Sequence, residues 1–165
     1  MRLGKPRPEA HGGRSILPTE EACHPELIGT EPCEAGSVEG ETELITVVVP
    51  AFNAEEFLAR CLRSVLGQSH RDLEVIVVDD GSTDATQDIA ALFGREDSRV
   101  TVLSTPNRGV SAARNLGTKG ARGTYVMFVD ADDWLLPRAV ATLLEAVRID
   151  GALAARCGYF EARSQ

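Results

Sequence analysis

Three aspartates in four positions, Asp130, Asp132 and Asp133, close the run Tyr-Val-Met-Phe-Val-Asp-Ala-Asp-Asp-Trp at residues 125–134. Carboxylates this close repel one another, and a divalent cation removes the conflict. Their hard oxygens suit Mg²⁺ or Mn²⁺, ions that readily share their remaining positions with phosphate oxygens. The simpler alternative is an acidic loop capping the helix that Pro137 begins. A second acidic cluster, Asp79-Asp80-Gly81-Ser82-Thr83-Asp84, and a polar turn, Pro50-Ala51-Phe52-Asn53, complete the candidate chemistry. Backbone cradles for phosphate are missing from the sequence. Strand one ends in proline rather than a G-x-G-x-x-G turn, and no G-x-x-x-x-G-K-[ST] loop occurs. Phosphate brought in on a metal is the reading that remains.

Each cluster follows a short apolar run that must position it. Ile45–Val49, Leu73–Val78 and Tyr125–Val129 read as strands of a parallel sheet buried on both faces, and Val100–Leu103 as a further strand. Pro50 is expected to end the first by removing a ladder donor. Asn53 is expected to N-cap the next helix, with Glu55 and Glu56 in its first turn. Phe57, Leu58, Cys61, Leu62, Val65 and Leu66 then form one apolar face, and Gly67 stops it. Ser82, Thr83 or Asp84 can cap a second helix, Val110–Lys119 reads as a third bearing Arg114 and Asn115, and Pro137 opens a fourth. Ala152–Phe160 is expected to begin a fifth strand. The alternation predicts an α/β fold with a mostly parallel sheet and helices on both faces. Strand ends of one sense share one edge, so the three polar clusters should line one crevice.

Composition limits what this crevice serves. The 165 residues suffice for one domain with its own core. Residues 1–43 differ from the rest, with five of the eight prolines, six of the fifteen glycines, and nine acidic against four basic residues. They read as a disordered tail, and order is expected from Leu44. A net charge of −8 gives no basic footprint for nucleic acid. No apolar run approaches the roughly 20 residues of a membrane span, and no signal-peptide h-region is present. The expected place is the cytoplasm, with peripheral attachment at the inner membrane face as a variant. Cys23-His24 and Cys33 lack a fourth zinc ligand, so they and Cys61 and Cys157 read as free thiols.

Four stretches in order, Val-Val-Pro-Ala-Phe-Asn-Ala, Val-Val-Asp-Asp-Gly-Ser-Thr-Asp, Asn-Arg-Gly-Val-Ser-Ala-Ala-Arg-Asn-Leu-Gly and Phe-Val-Asp-Ala-Asp-Asp, resemble family 2 glycosyltransferases of the GT-A fold. The likeness covers residues 44 to about 160. It implies a Rossmann-like nucleotide-diphospho-sugar transferase fold, with residues 44–165 as its donor-binding half. Pro50, Phe52 and Glu55 would border the nucleoside, with Ala51 and Asn53 beside them; the family usually has tyrosine where Phe52 stands. Asp79 would accept from the base ring, with Asp80 nearby, and Arg114 would lie toward the pyrophosphate or donor sugar. Asp130, Ala131 and Asp132 form the D-x-D segment. Asp132 would bind Mn²⁺ or Mg²⁺ directly, and Asp130 would contact the ribose or sugar or share the metal.

The resemblance further implies metal-dependent transfer, with inversion, from a nucleotide-diphosphate sugar, UDP-linked above all. The acceptor would be a hydroxyl of a glycan, a lipid-linked molecule or another compound. An aspartate base is expected well downstream of the D-x-D segment, yet only Glu161 is acidic after Asp150. The chain therefore reads as truncated, its base beyond Gln165, and completed by a C-terminal half or a second chain. A non-catalytic nucleotide-sugar-binding module is the alternative, and a receiver-like signalling domain a weaker one.

Overall fold

The computed structural model describes residues 43–150 and 154–156. Of the tail proposed over residues 1–43, residues 1–42 lie outside them, with Cys23, His24 and Cys33, as do Cys157, Glu161 and most of the expected fifth strand; residues 154–156 form no regular element.

Four strands, β1 (Ile45–Ala51), β2 (Leu73–Asp79), β3 (Val100–Ser104) and β4 (Tyr125–Phe128), alternate with four helices, α1 (Leu58–Leu66), α2 (Thr86–Glu96), α3 (Val110–Gly120) and α4 (Ala139–Asp150). All pairings are parallel, in the order β3-β2-β1-β4. The β-branched runs of β1 and β2 are buried along their whole length, as expected for strands covered on both faces. Val47, Val49, Val75 and Val77 pack with Leu58, Cys61, Leu62 and Val65 of α1, Phe93 of α2, and Val140 and Leu144 of α4. Val48, Ile76 and Val78 turn to the opposite face and meet Ala113 and Leu116 of α3. Gly117 makes that second contact possible, because a Cβ there would collide with the Val48 side chain.

The strand order reverses at β1. The chain runs outward through β2 and β3, then returns across the sheet to lay β4 on the other side of β1. That is the switch point at which open α/β sheets form a crevice beyond their carboxyl ends.

Three local expectations are corrected. Pro50 lies inside β1, opposite Val78, rather than ending it. The Val48 carbonyl accepts from Val129 on the β4 side, whereas the Ala51 carbonyl accepts from Asp80 on the β2 side. Pro50 therefore faces the β4 side, past the last paired residue Phe128, and no ladder bond needs its missing N–H. Asn53 does not cap α1. It is left-handed, with φ 47°, a conformation that asparagine tolerates, and α1's hydrogen bonding instead starts from the Ala54 carbonyl, which accepts from Leu58 at 2.9 Å. Finally, β4 is half-buried on one face, through Tyr125 and Met127, and open on the other. Val126 and Phe128 are exposed because α3 lies mainly over β1 and β2.

A polar clamp holds the amino-terminal edge of the sheet. Buried Glu74 accepts from the Thr46 hydroxyl at 2.8 Å, from Arg122 N at 2.9 Å and from Arg122 Nε at 2.7 Å, while Thr46 Oγ1 accepts from Gly123 N at 2.9 Å. Burial alone would raise the Glu74 pKa, but the hydrogen bonds from Arg122 and Thr46 outweigh it and hold it below the usual glutamate range. Because the folded pKa is lowered, this stabilisation is present at neutral pH and is lost as pH falls through the folded value. Arg122 is mostly exposed, so the ion pair itself contributes little. We expect Glu74→Ala to cost about 2 kcal/mol in urea unfolding at pH 7, mainly from stranding the Thr46 hydroxyl and the Arg122 N–H. The gap between mutant and parent should narrow below the ordinary glutamate pKa of about 4.3. A gap unchanged across that range would show that packing, not the carboxylate, carries the effect.

Candidate functional site

The carboxyl ends of β1 and β4 and the start of α3 enclose a cavity of about 300 Å³ lined by Pro50, Ala51, Phe52, Asn53, Ala54, Phe57, Asp80, Val110, Ala113, Asp130, Ala131 and Asp132. One wall is apolar, with Phe52 and Phe57 both partly exposed. Asp80, Asp130 and Asp132 bring three carboxylates to the same lining.

Two turns are stitched together at the mouth. Asn53 N donates to Ser82 Oγ at 3.0 Å, and Asn53 Oδ1 accepts from Thr83 N at 2.9 Å. Glu55 N donates to Asp84 Oδ2 at 3.1 Å, and Glu55 Oε2 accepts from Ala85 N at 2.9 Å. Glu55 thus ties the α1 entrance to the α2 entrance and does not line the cavity. Asp79 and Asp80 divide the work of the second cluster. Asp79 is buried, its Oδ1 accepts from Ser82 N at 3.1 Å, and it does not reach the cavity. Asp80 does reach it. Its two oxygens accept from Arg108 N at 2.9 Å and Gly109 N at 2.7 Å, which fixes the loop leading into α3.

One face of α1, together with Gln68 just past its end, supports the acidic loop. Cys61 Sγ lies 3.6 Å from the Asp130 carbonyl, Ser64 Oγ accepts from Leu135 N at 2.9 Å, and Gln68 Nε2 donates to the Leu136 carbonyl at 2.7 Å. Gln68 Oε1 also accepts from Val140 N at 3.0 Å, in the first turn of α4. Sequence reading took this face only for its apolar residues. Ser64 and Gln68, polar and three and seven residues beyond Cys61, were the visible signal that it also holds polar backbone. Phe57, Val110 and Ala113 are likewise lining residues that the motifs did not single out as site residues.

Arg114 stands at the edge of the site. Its Nη2 donates to Asp130 Oδ1 at 2.6 Å, and its Nε is buried without a partner among the described residues. Asp133 is raised above the usual aspartate pKa by burial and then by the charges of Asp132 and Asp130. The acidic loop therefore holds more negative charge than Arg114 offsets. Trp134 packs under the Arg60 guanidinium, 3.8 Å from the ring centroid. Among the described residues no three histidine, cysteine, aspartate or glutamate side chains converge on one point. Asp130 and Asp132 offer two carboxylates on one cavity wall. That set fits Mg²⁺ or Mn²⁺, which commonly takes one or two carboxylates and fills its other positions with water and substrate phosphates.

Residues 46–163 match the protein family described as Glycosyl transferase family 2. The chain belongs to that family. It is 44% identical over 103 residues to the glycosyltransferase GlyA of Streptococcus pneumoniae serotype 4, covering 62% of this chain and 15% of that protein. It is 39% identical over 111 residues to the chondroitin synthase of Escherichia coli, covering 67% of this chain and 16% of that protein. Among solved structures, S. aureus TarS 1-349 in complex with UDP superposes with TM-score 0.59 at 30% identity, over 64% of this chain and 32% of that one. The mannosyltransferase PcManGT of Pyrobaculum calidifontis, in complex with GDP-Man and Mn²⁺, superposes with TM-score 0.60 at 27% identity, over 65% and 33%. The fold is GT-A, and the chain spans about a third or less of the length of these four proteins. No described helix of this family 2 chain is long and apolar enough to cross a membrane.

Beneath the site, Cys61 is fully buried and its pKa is pushed up to about 12, by burial first and then by Asp133, Asp132 and Asp130. A thiol so placed is protonated and inaccessible near neutral pH. Peptide mapping after iodoacetamide treatment at pH 8 should find Cys61 unmodified in the folded chain and modified in denaturant. Labelling in the folded chain would mean that α1 and the acidic loop separate readily.

Proposed function

We propose that this chain binds the nucleotide-diphosphate sugar of a metal-dependent, inverting glycosyl transfer. The observation that carries the reading is the cavity at the β1/β4 switch point, where exposed aromatic faces meet Asp80, Asp130 and Asp132. UDP is the preferred nucleotide, supported by the UDP complex of TarS.

The residues divide the donor between them. Phe52 presents an aromatic face for the base, with Phe57 beside it. We assign the ring N–H to Asp80 rather than Asp79, because Asp80 lines the cavity and Asp79 does not. Asp79 acts behind it by holding the turn at Ser82. Pro50, Ala51 and Asn53 shape the nucleoside wall, while Glu55 keeps that wall in register with α2. Asp132 is the principal metal ligand. Asp130, oriented by Arg114, serves the metal or the ribose, with Ala131 between them leaving room for the donor. The guanidinium has donors beyond the one it gives Asp130, and these suit pyrophosphate oxygens. When bound, the metal neutralises charge on the departing diphosphate.

Isothermal titration of UDP with Mn²⁺ should show binding that excess chelator removes. Asp132→Ala should abolish the metal-dependent part with circular dichroism unchanged, and Asp80→Asn should weaken UDP while leaving metal dependence intact. Metal-independent binding, or an unaffected Asp132→Ala variant, would remove this loop from donor recognition.

A further inference from the structure

A second cavity, of about 270 Å³, opens on the other side of α3 and is lined by Thr105, Arg108, Ala112, Asn115, Leu116 and Lys119. It shares no lining residue with the first. Ala112, Asn115, Leu116 and Lys119 fall at the three- and four-residue spacing of a single helix face. Leu116 packs inward against the core, so this face is anchored.

The chemistry of the lining is one-sided. The chain carries 25 acidic residues against 17 Lys and Arg, yet among the described residues no carboxylate lines this cavity. Four described arginines, Arg99, Arg114, Arg122 and Arg148, are paired with carboxylates. Arg108 and Lys119 have no such partner among the described residues. Arg108 is also fixed at its base, because buried Asp80 holds the backbone N–H of Arg108 and of Gly109. A planar guanidinium, an ammonium, an amide and a hydroxyl therefore surround one opening with donors and no opposing acid. Such a set fits phosphate oxygens, with Arg108 as the bidentate partner and Lys119 as a point charge.

We propose that this α3 face is a second, metal-independent anion site that takes a phosphate-bearing group, separate from the donor cavity. The phosphate can belong to a soluble ester or to a lipid headgroup. A free ester needs only the cavity, whereas a headgroup brings a membrane surface with it.

The test uses the 165-residue chain, isotopically labelled, in excess chelator so that metal-dependent binding at the donor cavity is silent. Sodium pyrophosphate is titrated while backbone amide shifts are followed. In parallel, the chain is sedimented with vesicles of phosphatidylglycerol and phosphatidylcholine. Saturable shifts confined to Thr105, Arg108, Asn115 and Lys119, weakened about tenfold or more in Arg108→Gln/Lys119→Gln, support the site with a soluble ligand. Vesicle binding lost in the same double variant, without a response to pyrophosphate, supports the site with a lipid phosphate. Arg71→Gln/Arg95→Gln removes the same charge elsewhere and should leave either signal unchanged. The proposal is overturned by shifts that do not saturate or that fall on Phe52, Asn53 and Asp80. It is equally overturned if both probes are silent, or if binding survives the double variant or falls as far in the control.

Discussion

β1 is hydrogen-bonded along both edges, buried on both faces, and flanked by β2 and β4, two parallel strands that both follow it in the sequence but lie on its opposite sides. Every other feature of the site follows from that position. A strand so enclosed is apolar except for the hydrogen-bonded Thr46, and the polar groups of the site follow at its carboxyl end. Because β2 lies on one side and β4 on the other, the residues after all three strands meet there. The acidic loop and the Asp79–Asp84 turn are separated by about 50 residues of chain, yet they face a common cavity.

The sheet places the site, and side chains refine it. Asp80 fastens the loop into α3, α3 carries Arg114 to Asp130, and Cys61, Ser64 and Gln68 hold the loop that follows. None of these contacts is large. Apart from the Arg114–Asp130 ion pair, each satisfies a backbone polar group of the segment it holds, and such satisfaction is what confines a loop to one conformation. The acidic loop can thus hold its charges close together in the absence of a ligand.

The order of strands and helices was legible because each apolar run had a length and composition suited to one element only. The crevice was legible because parallel strands must end on one edge. What escaped were details decided by neighbours rather than by local sequence. Pro50 looked like a terminator because its missing donor counts only if a partner stands opposite, and β4 has already ended there. Asn53 looked like a cap because it precedes Glu55 and Glu56, but its side chain reaches across to Thr83, thirty residues away. Asp79 and Asp80 are adjacent in a strand end and chemically identical. Only the pleat decides which faces the cavity. Phe128 and Val126 read as interior, and their exposure depends on how far α3 extends across the sheet.

The position of β4 also has a bearing on how this domain is made. Its partner residue for Ile45 is Tyr125, which leaves the ribosome about 80 residues later. At ~5–20 residues per second, β1 waits roughly 4–16 s for that neighbour. During the interval β1, β2 and β3 can assemble with their helices, while one edge of β1 stays open to any other extended chain. The aspartates of the acidic loop arrive last, immediately behind the strand that closes that edge. Pairing that edge of β1 and bringing in the aspartates of the cavity are therefore one event in synthesis, and a nascent chain stalled before residue 125 leaves the β1 edge open and lacks Asp130 and Asp132.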